Sequence, residues 1–319
     1  MDLTVYYDDE QEWDWFAGLD PRLDTAPGHP LVSAARDAAL APCIQYDRPD
    51  ILLTYLGMPV LVLERTVEVP SGHNVGQRFA RLAAAAEQSV PVVYFGPFKA
   101  RKHGGSTAGP RFMNLRLFYA LAMVEKLTPS AVTTIDWPVD DDCELIRSPE
   151  KDERVRQYVS ELLDRLEAGF VDSRSLSSEM QATTVYKSLH AERLAFETTG
   201  VKRPEQYDGP PPSVDVVSGG RASRMLGASE LVDWDEVVVY TVGMKNIRSD
   251  PYTGMAMLYR YLYVLPYPGR ALILDFPEIS IADWTRVAGV SSARKDVRLY
   301  RHVADGVHFS DGYRERGSF

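Results

Sequence analysis

Between Tyr46 and Pro97 the chain carries two short apolar runs around a glycine turn, then a helix-like segment, then a third apolar run. No other stretch restricts the fold as strongly. Val60 to Leu63 is apolar without alternation, and a strand of that kind has to be buried on both faces, as in the middle of a sheet. Its neighbour Ile51–Tyr55 is separated from it by a turn at Gly57-Met58-Pro59, so the two read as a β-hairpin. From Asn74 to Gln88 the spacing puts Val75, Phe79, Leu82, Ala83 and Ala86 on one face, which predicts a helix that Ser71 to Asn74 can cap. Val92–Phe95 closes the stretch as a short buried strand. Helix, hairpin, helix and strand in this order require a mixed sheet with helices on its faces.

The flanking sequence extends that pattern. Leu3–Tyr7 reads as an opening strand, and the acidic aromatic run Asp8–Trp15 as a solvated cap with its indole rings turned inward. Leu31, Ala34, Ala35, Ala38 and Ala39 share a helical face between Pro30 and Pro42, which suit a first turn and a stop. Phe98 to Arg111 is a loop with basic residues and no acid. Met113–Lys126 is an amphipathic helix and Ala131–Trp137 a further strand. The core is expected to end near residue 148, giving an N-terminal unit 1–148 and a second region 149–319. In the latter, 149–169 reads as a helix capped at Ser148, and the chain to about Pro212 as mostly irregular with one helical patch at Tyr186–Phe196. The last third repeats strand, helix and strand around Val237–Tyr240, Met255–Leu265 and Ala271–Phe276, a unit that usually adds parallel strands. Whether it extends the first sheet or builds another is open at this point. The expected class is α/β, a mixed sheet core flanked by helices with an additional C-terminal α/β region.

The 319 residues are 45% hydrophobic and 25% charged, a composition able to bury a sizeable core. The net charge of -10 argues against a general nucleic-acid coat protein, while leaving room for a local basic surface. Cys43 and Cys143, the two cysteines, form no metal-ligand pair and no disulfide framework, so a reducing cytoplasm is the expected compartment. The acidic N-terminus lacks the apolar core of a signal peptide, and no apolar run reaches about 18 residues, so no membrane segment is expected.

Asp50 opens the first strand of the hairpin and Glu64 ends the second, where a buried strand meets solvent. Two carboxylates on neighbouring strands can share one divalent cation, with Thr66 and Glu68 following Glu64 on one strand face. Gln77, Arg78 and Arg81 lie on the next helix, whose N-terminus attracts phosphate. His73 is a lone histidine read as a loop or phosphate-contacting residue. Lys99, Arg101, Lys102 and Arg111 form the most basic loop, and loops of this sort follow phosphates. Arg248, Ser249, Asp250 and Tyr252 make a second polar turn, able to contact a phosphate or simply to reverse the chain. Ser218 to Arg224 reads as a Gly-rich basic loop without the pattern of a nucleotide-binding motif.

The order Pro49-Asp50, a spacer, Glu64-Arg65-Thr66 and then Gln77 on the following helix resembles the PD-(D/E)xK nuclease superfamily, which includes many restriction endonucleases. The resemblance covers roughly the first 140 residues. It implies a restriction-endonuclease-like core and a Mg²⁺-dependent endonuclease acting on double-stranded DNA as a homodimer. In that frame Asp50 and Glu64 hold the metal, Thr66 and Gln77 place the attacking water, and Asp37 or Glu68 assists. Arg78, Arg81, Lys99, Arg101, Lys102 and Arg248 grip the nucleic acid. Thr66 stands where the superfamily usually has lysine, so the cation that lysine supplies has to come from elsewhere, with Lys99, Lys102 and Arg78 as candidates. The alternatives are a catalytically silent nucleic-acid-binding or assembly subunit with the same fold, or a less specific defence nuclease.

Overall fold

The computed structural model describes residues 1–70, 73–101, 109–207, 213–242, 269–290, 302 and 304–319. The chain divides into two compact units, the first formed by Met1–Ser71 and Arg81–Pro204, the second by Gly72–Ala80 and Glu205–Phe319.

The first unit contains β1 (Leu3–Tyr7), α1 (Glu10–Ala17), β2 (Gly28–Pro30), the single turn α2 (Leu31–Ala34), β3 (Ile51–Tyr55) and β4 (Met58–Arg65). Helix α3 (His73–Glu87) follows and contributes to both units. Then come β5 (Val92–Gly96), the small hairpin β6 (Lys99–Ala100) and β7 (Arg111–Phe112), α4 (Leu115–Leu127), β8 (Val132–Asp136), α5 (Glu153–Glu167), α6 (Ser173–Ala182) and α7 (Thr184–Ala195). Six strands form one mixed sheet in the order β2-β1-β3-β4-β5-β8. β1, β3 and β4 are antiparallel neighbours, whereas β4, β5 and β8 run parallel. The expected hairpin is therefore present, and Val60 to Leu63 is fully buried, as an unalternating apolar strand demands.

One face of this sheet, with Leu3, Val5, Ile51, Leu63, Val93, Phe95 and Ile135, packs against Val155, Tyr158, Leu162, Leu166, Met180 and Leu189 from α5, α6 and α7. The opposite face carries Val62 and Glu64 and meets α3, whose Arg81 reaches Glu64. The first unit thus extends to Pro204, beyond the boundary expected near residue 148, because the faces of α5 to α7 are needed to cover the sheet. Two further expectations are corrected here. The stretch after α5 is helical over α6 and α7 instead of mostly irregular, with Asp172 and Thr183 accepting from Ser175 and Tyr186 main-chain N–H groups as N-caps. The helix expected through Ala39 stops at Ala34. Ala35 to Ala39 face solvent and offer no packing to sustain further turns.

The second unit contains β9 (Val214–Val217), α8 (Gly219–Leu226), β10 (Glu236–Thr241), β11 (Arg270–Phe276), α9 (Ile281–Val290), β12 (Gly306–Phe309) and β13 (Gly312–Glu315). Its sheet has the order β13-β12-β11-β10-β9 and is separate from the first. β10 and β11 are parallel, as the strand-helix-strand pattern implies; the expected helix over Met255–Leu265 lies outside the described residues. The Gly-rich segment Ser218–Arg224 is not a loop: Ser218 leads into α8, and Gly219 lies where a Cβ would stand 2.3 Å from the carbonyl oxygens of Leu231 and Trp234. Ala222, Leu226, Val237, Val239, Ala271 and Ile273 form the core beneath α8.

Replacing the fully buried Leu162 by alanine is expected to destabilise the first unit by about 2–5 kcal/mol, the usual cost of a leucine-sized cavity. Urea unfolding followed by tryptophan fluorescence measures it. An unchanged midpoint would separate α5 from the first core.

Candidate functional site

Asp50 immediately precedes β3, and its side chain reaches across the hairpin, Oδ2 accepting from the Arg65 main-chain N–H at 2.6 Å. Glu64, one residue from the end of β4, has no exposed surface at all. Its Oε1 accepts from Arg81 Nη1 of α3 at 2.8 Å. The same nitrogen lies 3.5 Å from Asp50 Oδ1, and Arg81 Nε lies 3.4 Å from Asp47 Oδ2. Only the contact to Glu64 has the length of a strong hydrogen bond; the other two are held chiefly by charge. Three carboxylates from the hairpin and the loop before it therefore converge on one guanidinium. Tyr46 donates a short hydrogen bond to Glu87 on the last turn of α3, a second tie between the same loop and the same helix.

The helix explains the convergence. Arg81 sits on the face of α3 that meets the sheet, between the buried Ala80 and Leu82, and projects from the covering helix onto the strand end. Arg65, next to Glu64 but on the opposite strand face, points away from this cluster. It pairs with Glu12 at 2.8 Å and lies over the Trp15 ring at 4.3 Å and the Trp137 ring at 5.3 Å. Strand alternation thus separates the adjacent Glu64 and Arg65 into a polar cluster and an aromatic one.

The pair Asp50 and Glu64 is thus brought to one point, as its strand positions implied. Thr66 is buried beside it but outside the strand, with its main-chain N–H bonded to Phe95 O at 2.9 Å. Its hydroxyl contacts the main chain of Glu68, donating to O at 3.3 Å and accepting from N at 3.2 Å. β4 has ended by then, so the expected single strand face for Glu64, Thr66 and Glu68 does not form, and Glu68 is exposed. Gln77 and Arg78 are half-buried on the part of α3 that clusters with the second unit. Asp37 is exposed and on no helix; its Oδ1 accepts from the Ala39 N–H at 2.8 Å and stabilises a turn. Lys99 lies on β6 with its ammonium 5.7 Å from the Phe112 ring centre, and Arg101 is exposed, 4.0 Å from Glu144. Lys102 and Arg248 lie outside the described residues, as do Ser249, Asp250 and Tyr252. Arg81, expected on the nucleic-acid side, sits on the carboxylates instead, and Asp47 joins them without having been singled out from sequence. The spacing Arg81 to Leu82, Ala83 and Ala86 was the available signal, since it sets a cation beside the apolar face that must meet the acidic hairpin.

Hard carboxylate oxygens suit Mg²⁺, which usually takes one or two protein carboxylates and completes its shell with water and phosphate oxygens. Asp50 and Glu64 supply two such carboxylates, and Arg81 Nη1 lies between them. Among the described residues no group of three or more His, Cys, Asp or Glu side chains is arranged to hold a metal, so an all-protein cage is not offered. At the C-terminal edge of the same sheet, Asp136 Oδ1 accepts from the Phe98 N–H at 2.7 Å, anchoring the base of the β6–β7 hairpin. Asp136 reaches solvent, yet protein walls surround it. That lost hydration raises its carboxyl to about 7, against the Phe98 hydrogen bond and with Glu192 adding like charge.

No protein-family model, curated protein or solved structure matches this chain. What the cluster can do follows from its own geometry.

Two outcomes are expected. Arg81→Ala removes the guanidinium 2.8 Å from the fully buried Glu64 and should cost about 3 kcal/mol in chemical denaturation, whereas the double change Arg81→Met with Glu64→Gln recovers most of that loss. For Asp136 the folded value near 7 exceeds the ordinary 3.8, so the folded state holds the proton more tightly. Its stabilising contribution is complete below about pH 4 and disappears as pH rises through 7. Asp136→Asn keeps the acceptor for Phe98 and should raise the urea midpoint at pH 8 while leaving it unchanged at pH 4.

Proposed function

We propose that the chain is a Mg²⁺-dependent endonuclease acting on double-stranded DNA, of the restriction-enzyme kind. The observation that carries this reading is the convergence of Asp50 and Glu64, from antiparallel neighbours β3 and β4, on a single Arg81 nitrogen. The strand order supports it as well. β1, β3 and β4 form an antiparallel meander, α3 crosses over, and β5 returns parallel to β4, the succession expected of a PD-(D/E)xK core.

In this reading Asp50 and Glu64 hold Mg²⁺. When bound, the ion supplies Lewis acidity to the scissile phosphate and lowers the pKa of a coordinated water. The protein's own part is placement. Burial and the Arg65 main-chain N–H fix the two carboxylates before any ligand arrives, so little ordering remains at the moment of reaction. Arg81 holds them in register, and its guanidinium, 2.8 Å from Glu64, stands beside where negative charge builds up on the phosphate. It takes the part that a lysine at position 66 would otherwise have, ahead of Lys99, Lys102 and Arg78. Water attacks phosphorus, the bond to the leaving oxygen breaks, and the leaving oxygen is protonated from solvent. Lys99 and Arg101 at the root of the basic loop contact the DNA backbone, with Arg78, Lys102 and Arg248 as further phosphate contacts and Gln77 placing water. A homodimer follows from the two-fold symmetry of duplex DNA. The two cysteines are free thiols, which suits a cytoplasmic setting, and no described helix is long and apolar enough to cross a membrane.

The reading is checked by incubating supercoiled plasmid with the protein and MgCl₂. Nicked and linear products should form, and Asp50→Asn and Glu64→Gln should each reduce them to background. Arg81→Ala should do the same, while Arg81→Lys keeps part of the activity because the charge remains. Cleavage that persists in both carboxylate variants sinks the metal pair. DNA binding without cleavage at any Mg²⁺ or Mn²⁺ concentration would instead identify a silent binding subunit.

A further inference from the structure

The carboxylate cluster already holds a cation of its own. Arg81 Nη1 stands 2.8 Å from Glu64 Oε1 and 3.5 Å from Asp50 Oδ1, the two groups assigned to Mg²⁺. Mg²⁺ binds carboxylate oxygen at about 2.0–2.1 Å and carries twice the charge of a guanidinium. A nitrogen within hydrogen-bond length of the same Glu64 oxygen crowds and repels an ion bound there. Guanidinium and metal therefore exclude one another at this point.

The acids are fixed, and the cation is the part that can turn. Glu64 is fully buried, and Asp50 Oδ2 is held by the Arg65 main-chain N–H at 2.6 Å. Arg81 reaches them on a long side chain that keeps 17% of its surface exposed. A third carboxylate lies at another edge of the guanidinium, with Asp47 Oδ2 3.4 Å from Nε. Asp47 is itself anchored, its Oδ1 accepting from the Arg48 N–H at 2.9 Å. It belongs to the loop before β3 and not to the pair assigned to the metal. Its contact with Nε is slack at that length. A small turn of the guanidinium shortens it to a charge-assisted hydrogen bond and releases Glu64.

We propose that Arg81 is an internal competitor for Mg²⁺ at Asp50 and Glu64, and that Asp47 is the positioning residue that receives its guanidinium when the ion enters. The proposal rests on the reading of Asp50 and Glu64 as a metal pair. The exchange replaces one cation by another on the same two carboxylates, so the buried Glu64 has a positive partner in either state. On Asp47 the guanidinium remains beside the pair, where a phosphate can meet it. Metal affinity is thereby lower than two fixed carboxylates would give without Arg81, and Asp47 restores part of it.

The test uses the full chain and Mn²⁺ as the probe, with free Mn²⁺ read by electron paramagnetic resonance, so no cleavage is needed. Arg81→Met keeps the bulk of the side chain and removes its charge. It should bind Mn²⁺ at least about 5-fold more tightly than the wild type, the lower end of ordinary coupling between two ligands. An arginine that merely braces the acids would, on removal, weaken the ion instead. Tighter metal does not restore cleavage in this variant, because the charge that meets the phosphate has gone with the guanidinium. Asp47→Asn should weaken Mn²⁺ binding in the wild type, where Arg81 loses its second partner, by a larger factor than in the Arg81→Met background. Asp47→Asn leaves Glu64 its partner, so its result stands if Arg81→Met does not fold. Urea unfolding gives a further readout: saturating MgCl₂ should raise the midpoint of Arg81→Met more than that of the wild type. Equal or weaker Mn²⁺ binding by Arg81→Met, unchanged or tighter binding by Asp47→Asn, or the same loss from Asp47→Asn in both backgrounds would each overturn the competition and leave the metal pair standing. Absence of Mn²⁺ binding in the wild type and every variant would overturn the metal pair itself, and this proposal with it.

Discussion

The contact between Glu64 and Arg81 organises the first unit. A carboxylate without any exposed surface costs several kcal/mol unless a partner and hydrogen bonds compensate it. Arg81 supplies that partner from the helix that covers the strand, and so binds α3 to the sheet at the one place where the apolar run of β4 gives way to charge. Asp50 and Asp47 share the same guanidinium, which ties both hairpin strands and the preceding loop to the helix. Packing and chemistry thus meet at one residue. The group that makes the buried acids tolerable is also the group that presents them together.

The position of this cluster follows from sheet topology. β4 is the strand at which antiparallel pairing gives way to parallel pairing. Its C-terminal end faces the side where β5 and β8 also end, with Thr66 just past β4 and Gly96 and Asp136 as the last residues of β5 and β8. A Cβ at Gly96 would stand 2.5 Å from Thr66 Cγ2 and 2.6 Å from the Tyr94 hydroxyl, so this edge is closely filled. A filled, rigid edge holds carboxylates in place more accurately than a loop does. On the other face, Arg65 over Trp15 and Trp137 anchors the same strand end in an aromatic layer.

Much of the fold was legible in the chain because local patterning and tertiary need agreed. Val60 to Leu63 announced a strand buried on two faces, the 3.6-residue spacing from Val75 to Ala86 announced α3, and the apolar runs around Val237 and Ile273 announced parallel neighbours. Where the two disagreed, the pattern misled. Ala35 to Ala39 have high helix propensity, but alanines bury too little surface to hold a helix that nothing covers. Ser218 to Arg224 looked like a loop because of its glycines, yet Gly219 is there to let α8 start against the Leu231 and Trp234 carbonyls. The polar stretch after residue 169 hides two helices because each needs only a narrow buried stripe, such as Leu176 with Met180 and Tyr186 with Leu189.

For the sites, the sequence by itself determined the ingredients: an acid at each end of a hairpin, a cation-bearing helix after it, and a threonine two residues beyond the second acid. Only the tertiary structure decided that Arg81 faces those acids, that Asp47 joins them, and that Thr66 spends its hydroxyl on a turn. The reason is physical. Period and propensity depend on neighbours along the chain, whereas the pairing of charges depends on strand register and helix rotation, which are set when the apolar faces close over one another.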